Sequence, residues 1–282
     1  MAIPKKIHYC WLSKDKMPDI YVKCIDSWKR IMPDYELVLW DSNKFDIDSV
    51  PFVKEAVSVK KWAFAADYIR LYAVYTEGGI YLDSDVLVLK KFDEFLNYDF
   101  FTSLEFEKGN DISAYENWTN NLDDIFAIRD CGLQAGIFGA VKGHPFLKDC
   151  MEWYENNHIL LPNGEIRDLN KIKAPDVLAA IAQKYGFKYK YGEQKLSENM
   201  IIFDTKVFCH TPKNITKGVY AIHWGEGGWY RPSRRLEMKI KRFKIIRLIR
   251  SLIKKKYIPS LDEVIAKHKK DKLCQKQKKF VE

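Results

Sequence analysis

Two aspartates interrupt an otherwise apolar segment that runs from Gly78 to Val86. In extended backbone, residues two apart point to the same side, so we expect Asp83 and Asp85 to project together and Ser84 to face away. Adjacent carboxylates at the end of a buried strand repel each other and are costly to desolvate. A hard cation such as Mg²⁺ or Mn²⁺ relieves that cost and leaves coordination positions for substrate phosphates. The segment therefore predicts a cation bound to a diphosphate, and aspartates that cap a turn are the alternative.

The helix predicted before this segment carries a second pair of charged residues. Asp67 and Arg70 are three residues apart and share one helix face. Alanines at 63, 65 and 66 permit the close approach of a ligand. An arginine can bind two diphosphate oxygens, and a carboxylate can accept from sugar hydroxyls. The alternative is a surface ion pair, which contributes only about 0.3–0.5 kcal/mol.

A third candidate lies in the glycine-rich segment 221–230. Neutral imidazole can complete a metal coordination shell, so His223 is a candidate third ligand. Trp229 could cover a sugar or a base. The alternative is a histidine that packs in the core, although loops are where binding residues concentrate.

A parallel α/β sheet is the arrangement that would position these residues. One βαβ unit is predicted at the start of the chain, with a strand over 3–11, a helix over 19–31 and a strand over 35–40. Such a unit favours a parallel sheet with helices on its faces. A helix over 59–77 ends at two glycines, and a buried strand follows over 80–82. Further helices are predicted over 145–156 and about 175–185, and short strands return over 200–230.

The combined pattern resembles glycosyltransferase family 32, the DXD sugar transferases of bacterial capsules and surface polysaccharides. The resemblance spans about residues 3–230 and is most specific over 65–86. It also includes the opening run 3–12, Ser27-Trp28-Lys29, Leu39-Trp40-Asp41 and the run from Phe138 to Pro145.

This resemblance implies a GT-A type α/β fold, a Rossmann-like open mixed sheet flanked by helices. It implies a catalytic domain over 1–230, a retaining mechanism, a UDP- or GDP-sugar donor and Mn²⁺ or Mg²⁺ as cofactor. The catalytic positions of the family match Asp83, Asp85 and Arg70. Its metal ligands match Asp83, Asp85 and His223. The implied donor-binding residues are Tyr9, Trp11, Asp67, Arg70, Tyr81, Ser84, Gln134 and Trp229.

The chain departs from the family pattern at three places. The late motif commonly reads His-His-Trp-x-x-Ser-Trp, whereas here Ile222 replaces the first histidine, Gly228 replaces the serine and one residue is added. Gln134 stands where asparagine is commoner, and Ala174-Pro175-Asp176 stands where Gly-Pro is commoner.

Positive charge is concentrated at the C-terminal end. The whole chain carries +9, yet residues 231–282 contain 19 basic and 5 acidic residues. Within 238–256, apolar residues fall on one side of a helical wheel and cations on the other, which is typical of a helix on an anionic membrane surface. We therefore expect 231–282 to be a basic amphipathic extension that brings the enzyme to a polyprenyl-diphosphate-linked or other glycan acceptor. A helix that packs on the body is the alternative, and few aromatics accompany the cations, which disfavours nucleic acid.

Two other functions fit parts of the sequence. A haloacid-dehalogenase-like phosphatase would use Asp83 as a nucleophile, but that motif normally opens its domain. A non-catalytic membrane or nucleic-acid binder would leave the 65–86 pattern without a purpose. The sequence lacks a signal peptide and a long apolar run, so we expect a cytoplasmic protein, peripheral on the inner face of the membrane.

Overall fold

The structure is a computed structural model that describes residues 2–106, 131–209 and 218–225. Trp229 and the basic extension 231–282 lie outside these residues. The helices of the described part are α1 (Asp19–Ile31), α2 (Pro51–Ser58), α3 (Trp62–Glu77), α4 (Pro145–Glu155) and α5 (Ala174–Ala182). Its strands are β1 (Lys6–Cys10), β2 (Glu36–Trp40), β3 (Gly79–Leu82), β4 (Val86–Val88), β5 (Phe100–Ser103), β6 (Ile137–Ala140), β7 (Gln194–Leu196), β8 (Met200–Phe203), β9 (Phe208–Cys209) and β10 (Ala221–His223).

The predicted βαβ unit is present at the start of the chain. β1 and β2 pair in parallel along their full lengths, and α1 connects them. β3 joins the other side of β1, also in parallel. The carboxyl ends of β1 and β3 therefore lie at the same edge of the sheet, so residues that follow these two strands can meet there.

The segment before β3 folds as two helices, so the prediction of one helix from residue 59 is wrong at its start. Proline stands at the first position of α2, where its missing N–H costs nothing. The Lys61 backbone N–H bonds to the Ala56 carbonyl, and Lys60 takes a left-handed φ of 56°. This turn separates α2 from α3. Gly78 then ends α3 with a φ of 68°, a conformation that glycine adopts without strain.

The main sheet is mixed and has seven strands in the order β2-β1-β3-β6-β5-β8-β7. β6 runs antiparallel to both β3 and β5, whereas β5 and β8 are parallel. A second sheet has the order β4-β10-β9. The open mixed sheet with helices on its faces confirms the predicted α/β fold.

The apolar core is divided by the main sheet into two clusters. One contains Ala65 and Ile69 of α3 with Tyr81 of β3, together with side chains of α2, α4 and α5. The other contains Trp28 of α1 with Ile80, together with side chains of the second sheet. Alternate residues of β3 thus face opposite clusters, as expected for a central strand buried on both faces. No helix in the described ranges is both long enough and apolar enough to cross a lipid bilayer.

Candidate active site

A tight turn, and not an extended strand, brings the two aspartates together. β3 ends at Leu82, and the Val86 backbone N–H donates to the Asp83 carbonyl at 2.9 Å. The Asp83 N–H donates to the Gly136 carbonyl at 2.8 Å, which fixes the turn to the residue before β6. The extended backbone expected over 83–85 is therefore wrong, because the hydrogen bond between Val86 and Asp83 closes a turn over these residues. The convergence of Asp83 and Asp85 is nevertheless present.

His223 reaches the aspartates through the second sheet. β10 pairs antiparallel with β4, so His223 lies opposite Val86. Its Nε2 atom lies 3.2 Å from Asp85 Oδ1 and 3.5 Å from Asp83 Oδ2. One ligand atom from each of the three side chains lies within 4.8 Å of the others. Two carboxylates and one imidazole at this spacing can hold a divalent cation.

Gln134 orients the imidazole of His223. Gln134 Oε1 lies 3.1 Å from His223 Nδ1 and also accepts the Gly136 backbone N–H at 3.1 Å. A backbone N–H can only donate, so the oxygen end of the amide must face this corner of the site. Nδ1 therefore carries the hydrogen of this bond, and Nε2 is the nitrogen left to face Asp83 and Asp85.

The carboxylates strongly affect the protonation of His223. Burial lowers the pKa of His223, but the charges of Asp85 and Asp83 outweigh it and raise the pKa to about 9. A cation held by these three side chains would replace the proton on Nε2, so its binding would be coupled to proton release at His223.

Asp67 and Arg70 form a buried ion pair directly behind Asp83. Arg70 Nη2 lies 2.9 Å from Asp67 Oδ1 and 3.5 Å from Asp83 Oδ1, and the two paired side chains are 6% and 10% exposed. The alternative of a surface ion pair is therefore wrong. Burial raises the pKa of Asp67, and the Arg70 guanidinium opposes this shift.

The remaining donors of Arg70 are directed at backbone carbonyls. Nε donates to Ala66 at 3.1 Å, and Nη1 donates to Ala135 at 2.9 Å. The guanidinium also lies 5.0 Å from the centre of the Tyr81 ring, and the Tyr81 hydroxyl donates to Asp83 Oδ1 at 2.9 Å. Arg70 and Tyr81 thus fix one carboxylate oxygen of Asp83 and leave Oδ2 toward His223.

Three other predicted donor-binding residues in the described part of the chain have partners outside this group of charged side chains. Ser84 donates its hydroxyl to the Cys10 carbonyl at 3.1 Å, which ties the turn to the end of β1. Trp11 donates to the Asp15 carbonyl, and its ring packs against Tyr21. Tyr9 packs edge-on against Trp28, on the face of the sheet opposite α3. The role expected for Trp229 lies outside the described residues.

Two residues that the sequence analysis did not select also belong to the site. A Cβ atom added to Gly136 would lie 2.7 Å from Asp83 Oδ2 and 2.8 Å from His223 Cε1, so this position has no room for a side chain. Glu105 follows β5, and burial raises its pKa to about 7 while the nearby His223 opposes the shift. A glycine two residues after Gln134 and a lone glutamate after an apolar strand were the only sequence signals for them.

Comparison with known proteins supports a sugar transferase. Residues 18–102 match the family model described as a glycosyltransferase sugar-binding region containing a DXD motif. The matched region includes α3 and the Asp83-Ser84-Asp85 turn, whereas Gln134 and His223 lie beyond it. The match supports the family 32 resemblance and disfavours the phosphatase alternative.

Curated relatives of the chain include two fungal mannosyltransferases. Inositol phosphoceramide mannosyltransferase 3 of Schizosaccharomyces pombe is 30% identical over 150 residues, which are 52% of this chain and 35% of the relative. Initiation-specific alpha-1,6-mannosyltransferase of Candida albicans is 28% identical over 161 residues, which are 54% of this chain and 35% of the relative. The chain thus spans about a third of the length of these relatives.

Among solved structures, the PaToxG glycosyltransferase superposes with a TM-score of 0.46 at 18% identity, covering 66% of this chain and 70% of that one. The sequence matches, together with the Asp83-Ser84-Asp85 turn, support a DXD-type glycosyltransferase of the family 32 kind.

Proposed function

We propose that this family 32-like glycosyltransferase transfers a hexose from a UDP- or GDP-sugar to a glycan or lipid-linked acceptor, with the help of a divalent cation and with retention of anomeric configuration. The observation that carries the proposal is the convergence of Asp83, Asp85 and His223 beside the buried Arg70 guanidinium. A nucleotide-sugar donor presents a diphosphate, which is the group that a cation and a nearby guanidinium recognise together.

The donor set favours Mn²⁺ over Mg²⁺ as the cation. Asp83 and Asp85 supply oxygen, but His223 supplies nitrogen, and Mg²⁺ prefers oxygen ligands and water in an octahedral shell. The Gln134 contact at Nδ1 orients the imidazole as expected for a metal ligand. When bound, the cation would supply a positive charge for the departing diphosphate.

The protein residues divide the remaining tasks. Tyr81 and Arg70 fix one oxygen of Asp83, so that its other oxygen keeps a defined direction. Arg70 adds positive charge at a site from which water is largely excluded, where electrostatic stabilisation of a leaving group is strongest. Asp67 keeps the guanidinium in place through their 2.9 Å contact. Each of these interactions is formed before the donor arrives, so little reorganisation is needed during transfer.

Hydrolysis of nucleotide sugars tests this proposal without a known acceptor. A panel of UDP- and GDP-sugars is incubated with the full chain and Mn²⁺, with EDTA as the metal-free arm. We expect Asp85→Asn to lower turnover by about 10²–10³-fold and to weaken Mn²⁺ binding measured by electron paramagnetic resonance. Asp26→Asn, an exposed change on α1, is the matched control. Hydrolysis by Asp85→Asn at the wild-type rate with Mn²⁺ present would exclude the proposed site.

The acceptor and the cellular location are proposed from the basic amphipathic pattern of 238–256, which lies outside the described residues. A peripheral position on the inner face of the cytoplasmic membrane would give access to polyprenyl-diphosphate-linked glycans of surface polysaccharide synthesis. Liposomes that contain anionic lipid should retain the full chain better than a variant with glutamine at Lys254, Lys255 and Lys256, since each cation contributes about 1 kcal/mol near such a surface. Equal retention would argue for a helix packed on the body.

A further inference from the structure

Of the four buried side-chain atoms that lack a hydrogen-bond partner in the described part of the chain, two belong to residues that interact with His223. They are Oε2 of Glu105 and Nε2 of Gln134. A buried polar group without a partner costs about 1–3 kcal/mol, so such atoms at a binding site point to a ligand that completes them. The carboxylate oxygen of Glu105 is an acceptor, and the amide nitrogen of Gln134 is a donor.

The backbone places these two side chains on the same face of one strand pair. Leu104 and Leu133 form an antiparallel bridge, flanked by hydrogen bonds from Gln134 N to the Ser103 carbonyl and from Glu105 N to the Gly132 carbonyl. Leu104 and Leu133 point into the core, so their neighbours Glu105 and Gln134 point to the opposite side. Glu105 and Gln134 are then diagonal neighbours, within reach of one shared ligand.

The unpartnered Nε2 atom of Gln134 is held in place by the contacts of Oε1. Gln134 Oε1 already accepts from Gly136 and contacts His223, so turning the amide over would lose both interactions. Glu105 has positively charged electrostatic neighbours in His223 and Lys173, and negatively charged ones in Asp176 and Asp83. The Leu104–Leu133 bridge carries Glu105 alongside Gln134, the residue that contacts His223.

We propose that Glu105, together with the free amide of Gln134, binds hydroxyl groups of the transferred sugar and so determines which donor is accepted. A hydroxyl both donates and accepts, and two adjacent hydroxyls on a pyranose ring can donate one hydrogen bond to the carboxylate and accept another from the amide. This inference rests on the proposed function, because it places the sugar next to the diphosphate and cation. It adds Glu105 as a specificity-determining residue.

The test separates binding of the sugar from binding of the nucleotide. Titration calorimetry with Mn²⁺ compares UDP and GDP with the UDP- or GDP-hexose that the wild type hydrolyses. Glu105→Gln should weaken binding of the complete donor by about 10- to 100-fold and leave binding of the nucleoside diphosphate within about 2-fold. Glu193→Gln, an exposed glutamate change of the same kind, should alter neither.

Deoxy analogues of the donor sugar identify the contact directly. The wild type should lose affinity for the analogue that lacks the hydroxyl bound by Glu105, and Glu105→Gln should show no further loss with that analogue, as in a double-mutant cycle.

Three outcomes would overturn the inference. If Glu105→Gln binds every donor like the wild type, the two atoms are satisfied by ordered water, and the proposed function still stands. If the variant loses the nucleoside diphosphate equally, Glu105 serves the fold or the cation site instead. If the wild type binds neither UDP nor GDP with Mn²⁺, the proposed function fails and this inference fails with it.

Discussion

His223 and Gln134 are 89 positions apart in the chain and are joined by a contact of 3.1 Å between Nδ1 and Oε1. Gln134 thereby determines which imidazole nitrogen faces the two aspartates. The cation site consequently depends on a neutral amide as much as on the three side chains that offer ligand atoms.

The first prediction concerns this amide. Gln134→Leu removes the acceptor for Nδ1, so we expect Mn²⁺ affinity to fall by about 10- to 100-fold, as measured by electron paramagnetic resonance. Gln134→Glu keeps an acceptor at this position and should retain most of the affinity. Equal Mn²⁺ affinity for the leucine variant and the wild type would contradict an orienting role.

The second prediction concerns the absence of a side chain at residue 136. Gly136→Ala places a methyl group 2.7 Å from Asp83 Oδ2, which forces the carboxylate or the His223 ring to shift. We expect at least a 10-fold loss of Mn²⁺ affinity, of the order seen when supporting groups around a metal are disturbed, while circular dichroism shows a folded protein. Ser42→Ala, an exposed change, is the control. An alanine variant that binds Mn²⁺ normally would show that the site tolerates the added methyl group.

The third prediction concerns the buried ion pair. Arg70→Ala leaves the Asp67 carboxylate buried without its cation, and breaking a buried pair in this way costs about 3–5 kcal/mol. Urea denaturation should show a lower free energy of unfolding by this amount, together with a loss of donor hydrolysis. Arg30→Ala on the exposed side of α1 is the control. A loss of hydrolysis with unchanged stability would mean that Arg70 serves catalysis alone.

The fourth prediction is a dependence of stability on pH that originates at His8. Trp40 Nε1 donates to His8 Nδ1 at 3.0 Å, so His8 Nε2 carries the hydrogen and donates to the Gly78 carbonyl at 2.8 Å. Burial lowers the pKa of His8 in the folded protein, and protonated Nδ1 would face the Trp40 N–H. Below the ordinary histidine pKa of about 6.5, the unfolded chain takes up the proton first, so stability falls as the pH falls.

His8→Gln tests this dependence, because glutamine does not titrate in this range. Urea denaturation between about pH 5 and pH 7.5 should give a shallower loss of stability on acidification for the variant than for the wild type. Identical pH profiles for the two proteins would show that His8 is not the source.

The residues close together in sequence were the predictable part of the site. Helical spacing placed Asp67 and Arg70 on one face of α3, and the two glycines that end this helix located β3. The spacing of the aspartates predicted their convergence but not the turn that produces it. The turn is anchored in the fold by the hydrogen bond from Asp83 to Gly136, more than 50 residues later.

The sequence by itself determined the βαβ unit at the start of the chain, the end of α3, and the pairs Asp67/Arg70 and Asp83/Asp85. Helix periodicity and glycine conformation act over a few residues, so these features can be predicted locally. The glycine-rich segment made His223 a candidate ligand, but only the tertiary structure decided that His223 meets the aspartates beside Gln134 and Gly136. These positions are brought together by the pairing of β3 with β6 and of β4 with β10. Such pairings between distant segments depend on how the two apolar clusters pack on the sheet, and no local pattern in the chain encodes that packing.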